Sequence, residues 1–473
     1  MNKFFKNNIF LDDELLIPIP NPYPFDFLKE RVPIIPTIIE INDDSKNKLN
    51  TDIDKEKVKE KVIDKNKVKK KFLVIDTGIG LDHAIQLGKD SIVYYYTNWQ
   101  TPYPTIESSI LGYGFNEIKK IEDYGKILLE KSIDAIIFTD VGFGSLADYF
   151  RAQGYNVWGT SELAEKLEQD RIFMINIFKE LGIGVPTTYI CKGIKELLKF
   201  LSDNEGKTYF IKINKFRGNV ETFSVNSASQ AELLLMQSDM GKILDIADLV
   251  VQEPCPGAEI GIDAFFNGKE FIKPYFVTLE RHATVGKWVE KSFWDDLWLN
   301  KIKDWLAETG YHGNISLEAF YDNGKIYALD TTCRFPYPNS CLFPRTVKNW
   351  SEVVLEVSKG NYPKLEITSL YSAEIPIFSD AAHKSIKDFQ KELIFNLDEK
   401  EIDKYFAIRN MIKLDGKLYH IPLDEMLTFA VGYGNTANEA IENAQKVTEK
   451  FSTVKYLVSD LKELNDLLTK VNL

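Results

Sequence analysis

A lysine stands alone in an apolar run, YFIKIN around Lys212, and is followed at once by a polar turn, NKFRGN, that carries Lys215. One ammonium beside a backbone turn can hold phosphate oxygens; equally, a lone strand lysine is an ordinary edge residue. Downstream, in VVQEPCPGAEIGID, Gln252 and Glu253 close an apolar run, Pro254 and Gly257 bend the chain, and Glu259 opens the next run. Such a hinge offers backbone groups to an adenine edge and a carboxylate to ribose hydroxyls, although each residue taken singly is common turn chemistry. The third group is SLEAFYDNGKIYALDTTCR, in which Glu318 and Asp330 fall on two strands joined by the turn Asp322-Asn323-Gly324. Facing carboxylates on paired strands repel unless a cation lies between them, and Mg²⁺ favours carboxylates together with phosphate oxygens. The plainer alternative is two solvated acids. Arg334 follows with a guanidinium fork suited to phosphate or carboxylate.

These groups need elements to position them. From Phe72 the runs FLVIDTG, SIVYYYT and DAIIFTD alternate with amphipathic stretches, which predicts βαβ units and a parallel sheet. Residues 161–185 read as one helix, capped by Ser161 and stopped by Gly182. TYFIKIN and ETFSV predict a hairpin. Asn-Gly turns at Asn267-Gly268 and Asn323-Gly324 make the middle of the chain antiparallel and mixed. The tail carries strands such as FAVGYG and an amphipathic helix from Thr436 to about Phe451. Residues 1–41, with closely spaced prolines, suit an extended arm that docks on a partner or on a second subunit. Residues 42–70 alternate lysine with acids and read as a charged linker.

Composition narrows the function classes. The chain has 473 residues, 44% hydrophobic, enough to bury a core in several domains. With 58 Lys+Arg against 70 Asp+Glu, the net charge of −12 opposes broad adhesion to nucleic acid or anionic membrane. No apolar run is long enough to span a bilayer. Four cysteines without paired spacing indicate neither a disulfide framework nor a zinc ribbon, which fits a cytoplasmic protein.

A strand lysine, a Glu-Pro-Gly-Glu hinge and an acidic hairpin followed by Arg, in that order, resemble the ATP-grasp superfamily. The likeness extends to the phosphoribosylamine–glycine ligase family from about Lys71 to Phe451. FLVIDTGIGLDHAI is similar to that family's opening strand, glycine turn and helix, and YFRAQGYNVWGTSELAEKLEQDR to its lead into the ATP-grasp domain. KLDGKLYHIPLDEMLTFAVGYGNTANEAIENAQKV is similar to its small closing domain. The resemblance implies a multidomain α/β and α+β protein. After the arm and linker come a parallel α/β domain (71–160), an ATP-grasp domain (161–370) and a C-terminal domain (371–473).

It also implies ATP and Mg²⁺ or Mn²⁺ as cofactors. Arg171 would stand at the phosphate-side position where the family often has lysine. Lys212 would contact the α and β phosphates, with Lys215 beside them in the following loop. Gln252 and Glu253 would line the adenine pocket, and Glu259 would bind ribose. Glu318, Asp330 and Thr332 would form the metal set, Thr332 replacing the family's Asn, and Arg334 would face the transferred phosphate. The activity implied is an ATP-dependent carboxylate–amine ligase working through an acyl phosphate. Its substrates would be small molecules. The acceptor segments depart from the family: ERHATVGKWVEKSFWDD keeps one basic position, Arg281, and PYPNS replaces an acidic run after Arg334. A different acceptor is therefore expected. The alternative is a non-catalytic nucleotide-binding or assembly protein that keeps the fold.

Other candidates carry less. The five histidines lack ligand spacing, Cys333 has no neighbour to activate it, and Trp288, Trp294, Trp298 and Trp305 read as core.

Overall fold

Runs such as KFLVID and AIIF have no polar alternation, so they can only be covered on both faces, and they form a parallel sheet. Its strands are β1 (Lys71–Asp76), β2 (Ile92–Thr97), β3 (Ile118–Lys120), β4 (Ala135–Phe138) and β5 (Val157–Trp158), in the order β3-β2-β1-β4-β5. Helices α1 (Leu81–Gly88), α2 (Tyr124–Glu130) and α3 (Gly144–Ala152) connect them. The computed structural model describes residues 69–97, 111–130, 132–215, 222–236, 241–281, 283–378, 399–409, 411–420, 426–449 and 455–456. The arm, the linker before 69, Arg217, Gly218 and His282 lie outside the described residues.

The order reverses at β1, where the loops after β1 and β4 part. Asp76 closes that point. Its carboxylate accepts from the Gly80 amide (2.9 Å), the Thr139 hydroxyl (2.5 Å) and the Tyr95 hydroxyl (2.6 Å). A Cβ on Gly80 would lie 2.3 Å from Thr139 Cγ2, so the glycine is needed for this close approach.

The single helix expected over 161–185 is two. α4 (Lys166–Gln169) ends at Asp170, whose φ of −132° and ψ of 97° leave the helical region, and α5 (Arg171–Glu180) starts anew. The Asp170 side chain accepts from the Phe173 amide, so its carboxylate competes with the backbone for that donor and caps the second helix. Gly182, with φ of 68°, ends the segment as expected.

A second sheet, β6 (Thr188–Lys192), β7 (Tyr209–Ile213), β8 (Thr222–Val225) and β9 (Asp248–Gln252), has the order β6-β9-β7-β8. Helices α6 (Gly193–Asp203) and α7 (Ala228–Met236) cover it, packing Leu197, Leu201, Ala231 and Leu235 against Ile211 and Val251. The expected hairpin is β7–β8, with Lys212 opposite Thr222.

The largest sheet begins with β10 (Ala258–Phe266), β11 (Phe271–Arg281), β12 (Ala283–Val289), β13 (Gly313–Asp322) and β14 (Lys325–Thr332). Helix α8 (Asn300–Glu308) precedes β13, and α9 (Phe343–Thr346) and α10 (Trp350–Ser358) follow β14. The sheet continues through β15 (Tyr371–Phe378), β16 (Phe406–Ala407) and, after the hairpin β17 (Met411–Leu414) with β18 (Lys417–His420), β19 (Met426–Gly434). Asn323 and Gly324 both have positive φ, as a two-residue hairpin turn requires. Because β12 pairs with β15, placing Thr284 opposite Glu374, the sheet runs unbroken past residue 370. Helix Ala437–Thr448 is capped by the Thr436 hydroxyl on the Glu439 amide, and Glu439 returns a bond to the Asn435 amide. Trp294 and Trp298 are fully buried in the core, and all four cysteines are free thiols. Among the described residues no helix is long and apolar enough to cross a membrane.

A buried ion pair joins the first sheet's α1 to α9. Asp82 takes two bonds from Arg345 (2.5 and 2.8 Å) and a third from the Ile408 amide (2.8 Å). Arg345→Ala strands that carboxylate, with an expected loss of about 3–5 kcal/mol in urea unfolding. The Asp82→Asn/Arg345→Ala pair should recover part of it.

The adjacent His83 stacks on Phe335 at 3.9 Å, with Nε2 at 2.9 Å from Ser340 Oγ. Burial pulls its pKa from 6.5 down to about 4 despite Asp82. The unfolded chain therefore binds this proton more tightly than the folded one. The contribution is complete above pH 6.5 and declines as pH falls from there toward 4. Urea midpoints measured across that window should fall less steeply in His83→Asn than in the wild type.

Candidate active site

Lys212 sits on β7 with both strand neighbours apolar, so its stem is buried and its ammonium has to find a partner at the strand's end. That partner is Asp330 on β14, 118 residues away, at 2.7 Å. Arg171, the first residue of α5, completes the group. Its Nε lies 3.4 Å from the other Asp330 oxygen, and its Nη1 donates to the Ile213 carbonyl at 3.0 Å. Burial alone would raise the Asp330 pKa, but Lys212 and then Arg171 outweigh it and hold the carboxyl below its usual range.

Asp170 sets where Arg171 points. Besides capping α5 it accepts from the Asn214 amide (3.1 Å) and lies 3.3 Å from the Lys215 ammonium. Asn214 in turn accepts from the Ile172 amide (3.2 Å), so the end of β7 and the start of α5 are bonded in both directions. Lys215 itself is exposed and has a φ of 56°, where the chain turns out of the strand.

Glu318 on β13 is directly opposite Asp330, with a register shift immediately after it. Burial, then the charges of Glu280, Asp330 and Glu259, drive its pKa well up, with Lys212 opposing. One of two facing acids is thus held ionised while the other resists ionisation, the expected outcome for carboxylates that share a site. A divalent cation would relieve that repulsion. No group of three or more His, Cys, Asp or Glu among the described residues is arranged to hold an ion. The chain therefore supplies two carboxylates and the Thr332 hydroxyl, and phosphate oxygens would have to complete the shell; this donor set fits Mg²⁺ bound with a nucleotide.

The hinge lies beside this group. Gln252 is buried at the end of β9, opposite Phe210, with its amide 3.4 Å from Thr188 Oγ1. Glu253 continues the pairing to the Thr187 carbonyl (3.0 Å) and accepts from the Tyr189 hydroxyl (3.0 Å). Glu259 is half-buried on β10 and acts electrostatically on both Glu280 and Glu318.

Arg334 occupies different surroundings. Its Nε lies 3.0 Å from Asp140 and 2.9 Å from Glu168, and its Nη1 donates to the Phe335 carbonyl. These carboxylates follow β4 and belong to α4, so the guanidinium ties the end of β14 to both.

Sequence reasoning passed over Asp140, Glu168, Asp170, Asp263, Glu280 and Glu374. For Asp263 and Glu374 the available signal was a single acid inside an otherwise apolar run, as in IGIDAFF and YSAEIPIF, which marks a carboxyl facing inward.

No family model and no curated protein matches the sequence. Solved structures do match in fold. Phosphoribosylamine–glycine ligase of Thermotoga maritima aligns with a TM-score of 0.58 at 18% identity, over 82% of this chain and 98% of that one. The biotin carboxylase domain of Hydrogenobacter thermophilus 2-oxoglutarate carboxylase, in complex with MgADP and bicarbonate, aligns at 0.57 and 13% identity, over 83% and 91%. N5-Carboxyaminoimidazole synthetase of Staphylococcus aureus, complexed with ADP, aligns at 0.53 and 13% identity, over 81% and 99%. The chain has the ATP-grasp fold, as the resemblance implied.

Asp170→Ala should lower stability by about 1 kcal/mol through the lost cap. Guanidinium denaturation reads that loss directly, and an unchanged midpoint would show that Asp170 is not holding the start of α5.

Proposed function

We propose that the chain is an ATP- and Mg²⁺-dependent ligase that joins a carboxylate to an amine. The observation carrying this reading is the meeting of Lys212, Arg171 and Asp330 beside Glu318, brought together from two sheets and a helix. With nucleotide bound, Lys212 would leave Asp330 for the α and β phosphates and Arg171 would flank them. Gln252 and Glu253 would edge the adenine, Glu259 would hold ribose, and Lys215 would cover the phosphates from its turn. Glu318, Asp330 and Thr332 would hold the ion, which supplies charge neutralisation at the phosphates.

The substrate carboxylate oxygen attacks the γ phosphorus and ADP leaves. The amine nitrogen then bonds to the acyl carbon, the C–O bond to phosphate breaks, phosphate departs and the nitrogen sheds a proton. Arg334 would face the transferred phosphate, fixed in place by Asp140 and Glu168.

Those same two acids favour a second reading, because they oppose the charge that Arg334 would otherwise offer to phosphate. In that reading the chain binds ATP without turnover. ADP release across panels of carboxylates and amines separates the two. For the ligase, Lys212→Ala and Asp330→Asn each reduce the rate at least a hundredfold while near-UV circular dichroism stays native. Wild-type turnover in either variant overturns the mechanism.

A further inference from the structure

The far edge of the large sheet holds a cavity that the ligase reading does not use. β16 pairs only Phe406 with Ala430 and Ala407 with Phe429, so among the described residues β19 continues past Ala430 with no strand on that side. The gap lies between the helix Glu399–Tyr405, which leads into β16, and the helix Ala437–Thr448. Gly432 lets the second helix lie close, because a Cβ there would collide with the backbone of Ala440 and Ala444. The cavity has a volume of about 410 Å³ and is lined by Lys404, Tyr405, Gly432, Tyr433, Asn443 and Lys446. Small-molecule sites typically occupy about 300–1,000 Å³.

Its place in the sheet separates it from the candidate active site. Asp330 lies on β14, at the other end of the order β14-β13-β10-β11-β12-β15-β19. At about 4.8 Å per strand spacing, roughly 29 Å of sheet lies between the two.

The walls are tied down. The Tyr433 hydroxyl donates to the Lys404 carbonyl at 3.0 Å, and the Asn443 amide donates to the Tyr433 carbonyl at 2.8 Å. The charges are not tied in the same way. Asp403, beside Lys404, is taken by Lys89 (2.5 Å) and Gln86 (2.9 Å) of α1. The Lys404 ammonium lies 4.9 Å from the Tyr405 ring centroid, and among the described residues neither Lys404 nor Lys446 forms an ion pair. Glu442 and Glu449, a turn to either side of Lys446, are exposed and do not line the cavity.

Two ammoniums at one cavity repel each other, and a dianion between them removes that repulsion. The two tyrosine rings offer flat apolar faces, and Asn443 keeps its side-chain oxygen as an acceptor. We propose that this cavity binds an organic phosphate monoester with a flat heterocyclic body, of the size of a nucleoside monophosphate, at a site separate from that for ATP. The phosphate is held by Lys404 and Lys446, and the ring lies against Tyr405 and Tyr433. This site does not depend on the ligase reading.

Calorimetric titration of the full chain, saturated with ADP and Mg²⁺ so that the first site is filled, tests this with uridine 5′-monophosphate, uridine and inorganic phosphate as probes. The monophosphate should bind with one equivalent and at least tenfold more tightly than either fragment. Lys404→Ala/Lys446→Ala should weaken it at least tenfold, and because both side chains are exposed the unliganded Tm should stay that of the wild type. Lys212→Ala should leave the binding unchanged. No binding of the monophosphate, or binding no tighter than that of inorganic phosphate, overturns the proposal on the wild-type protein alone. So does binding that survives the double substitution; its loss in Lys212→Ala would then place the ligand in the first site. ADP release from no pair of acid and amine would sink the ligase reading and leave this site standing.

Discussion

Asp330 is the group on which the site depends. Its carboxylate is approached by Lys212 from one sheet and Arg171 from the start of a helix, and it faces Glu318 across its own hairpin. Two cations and a neighbouring acid around one half-buried carboxylate make a balanced cluster only if the second sheet, α5 and the large sheet keep their positions. Removing either cation takes away a charge that holds the Asp330 carboxyl ionised, which is costly where water is partly excluded. In the proposed ligase reading a triphosphate and its ion would enter this cluster, bringing negative charge to the cations and positive charge to the acids.

Around that cluster the chain uses short, reciprocal bonds to fix direction. Asp170 caps α5 and also grips Asn214 and Lys215, so the helix that presents Arg171 is bonded to the strand that presents Lys212. Arg334 performs a similar service at the far end of β14, where Asp140 and Glu168 hold it. The Asp82–Arg345 pair joins α1 to α9 farther away. Buried ion pairs of this kind add little net stability compared with apolar packing, yet they specify geometry.

The likeness to solved ATP-grasp structures is one of architecture, at 13–18% identity. Along β11, β12 and β15 the face next to Glu318 carries Glu280, Thr284 and Glu374 in one register row and Ser372 in the next.

Much of the frame was legible in the amino-acid order. Apolar runs without alternation specified the parallel sheet, Asn-Gly pairs specified the hairpins, and the amphipathic pattern from Thr436 specified the last helix, because each of these depends on residues close together in the chain. The order of Lys212, the hinge, the acidic hairpin and Arg334 was also readable, and with it the fold. The break at Asp170 escaped notice because helical periodicity continues through it, and only the side chain's competition for the Phe173 amide ends the first helix. Which charges meet was settled by tertiary structure alone. That Arg171 and Lys212 share Asp330, that Arg334 is held by Asp140 and Glu168, and that Glu280 lines up with Glu374 through Thr284 all follow from strand register and sheet order. The ion pairs among them bring residues more than a hundred positions apart to within a few ångströms, and local propensity carries no information about them.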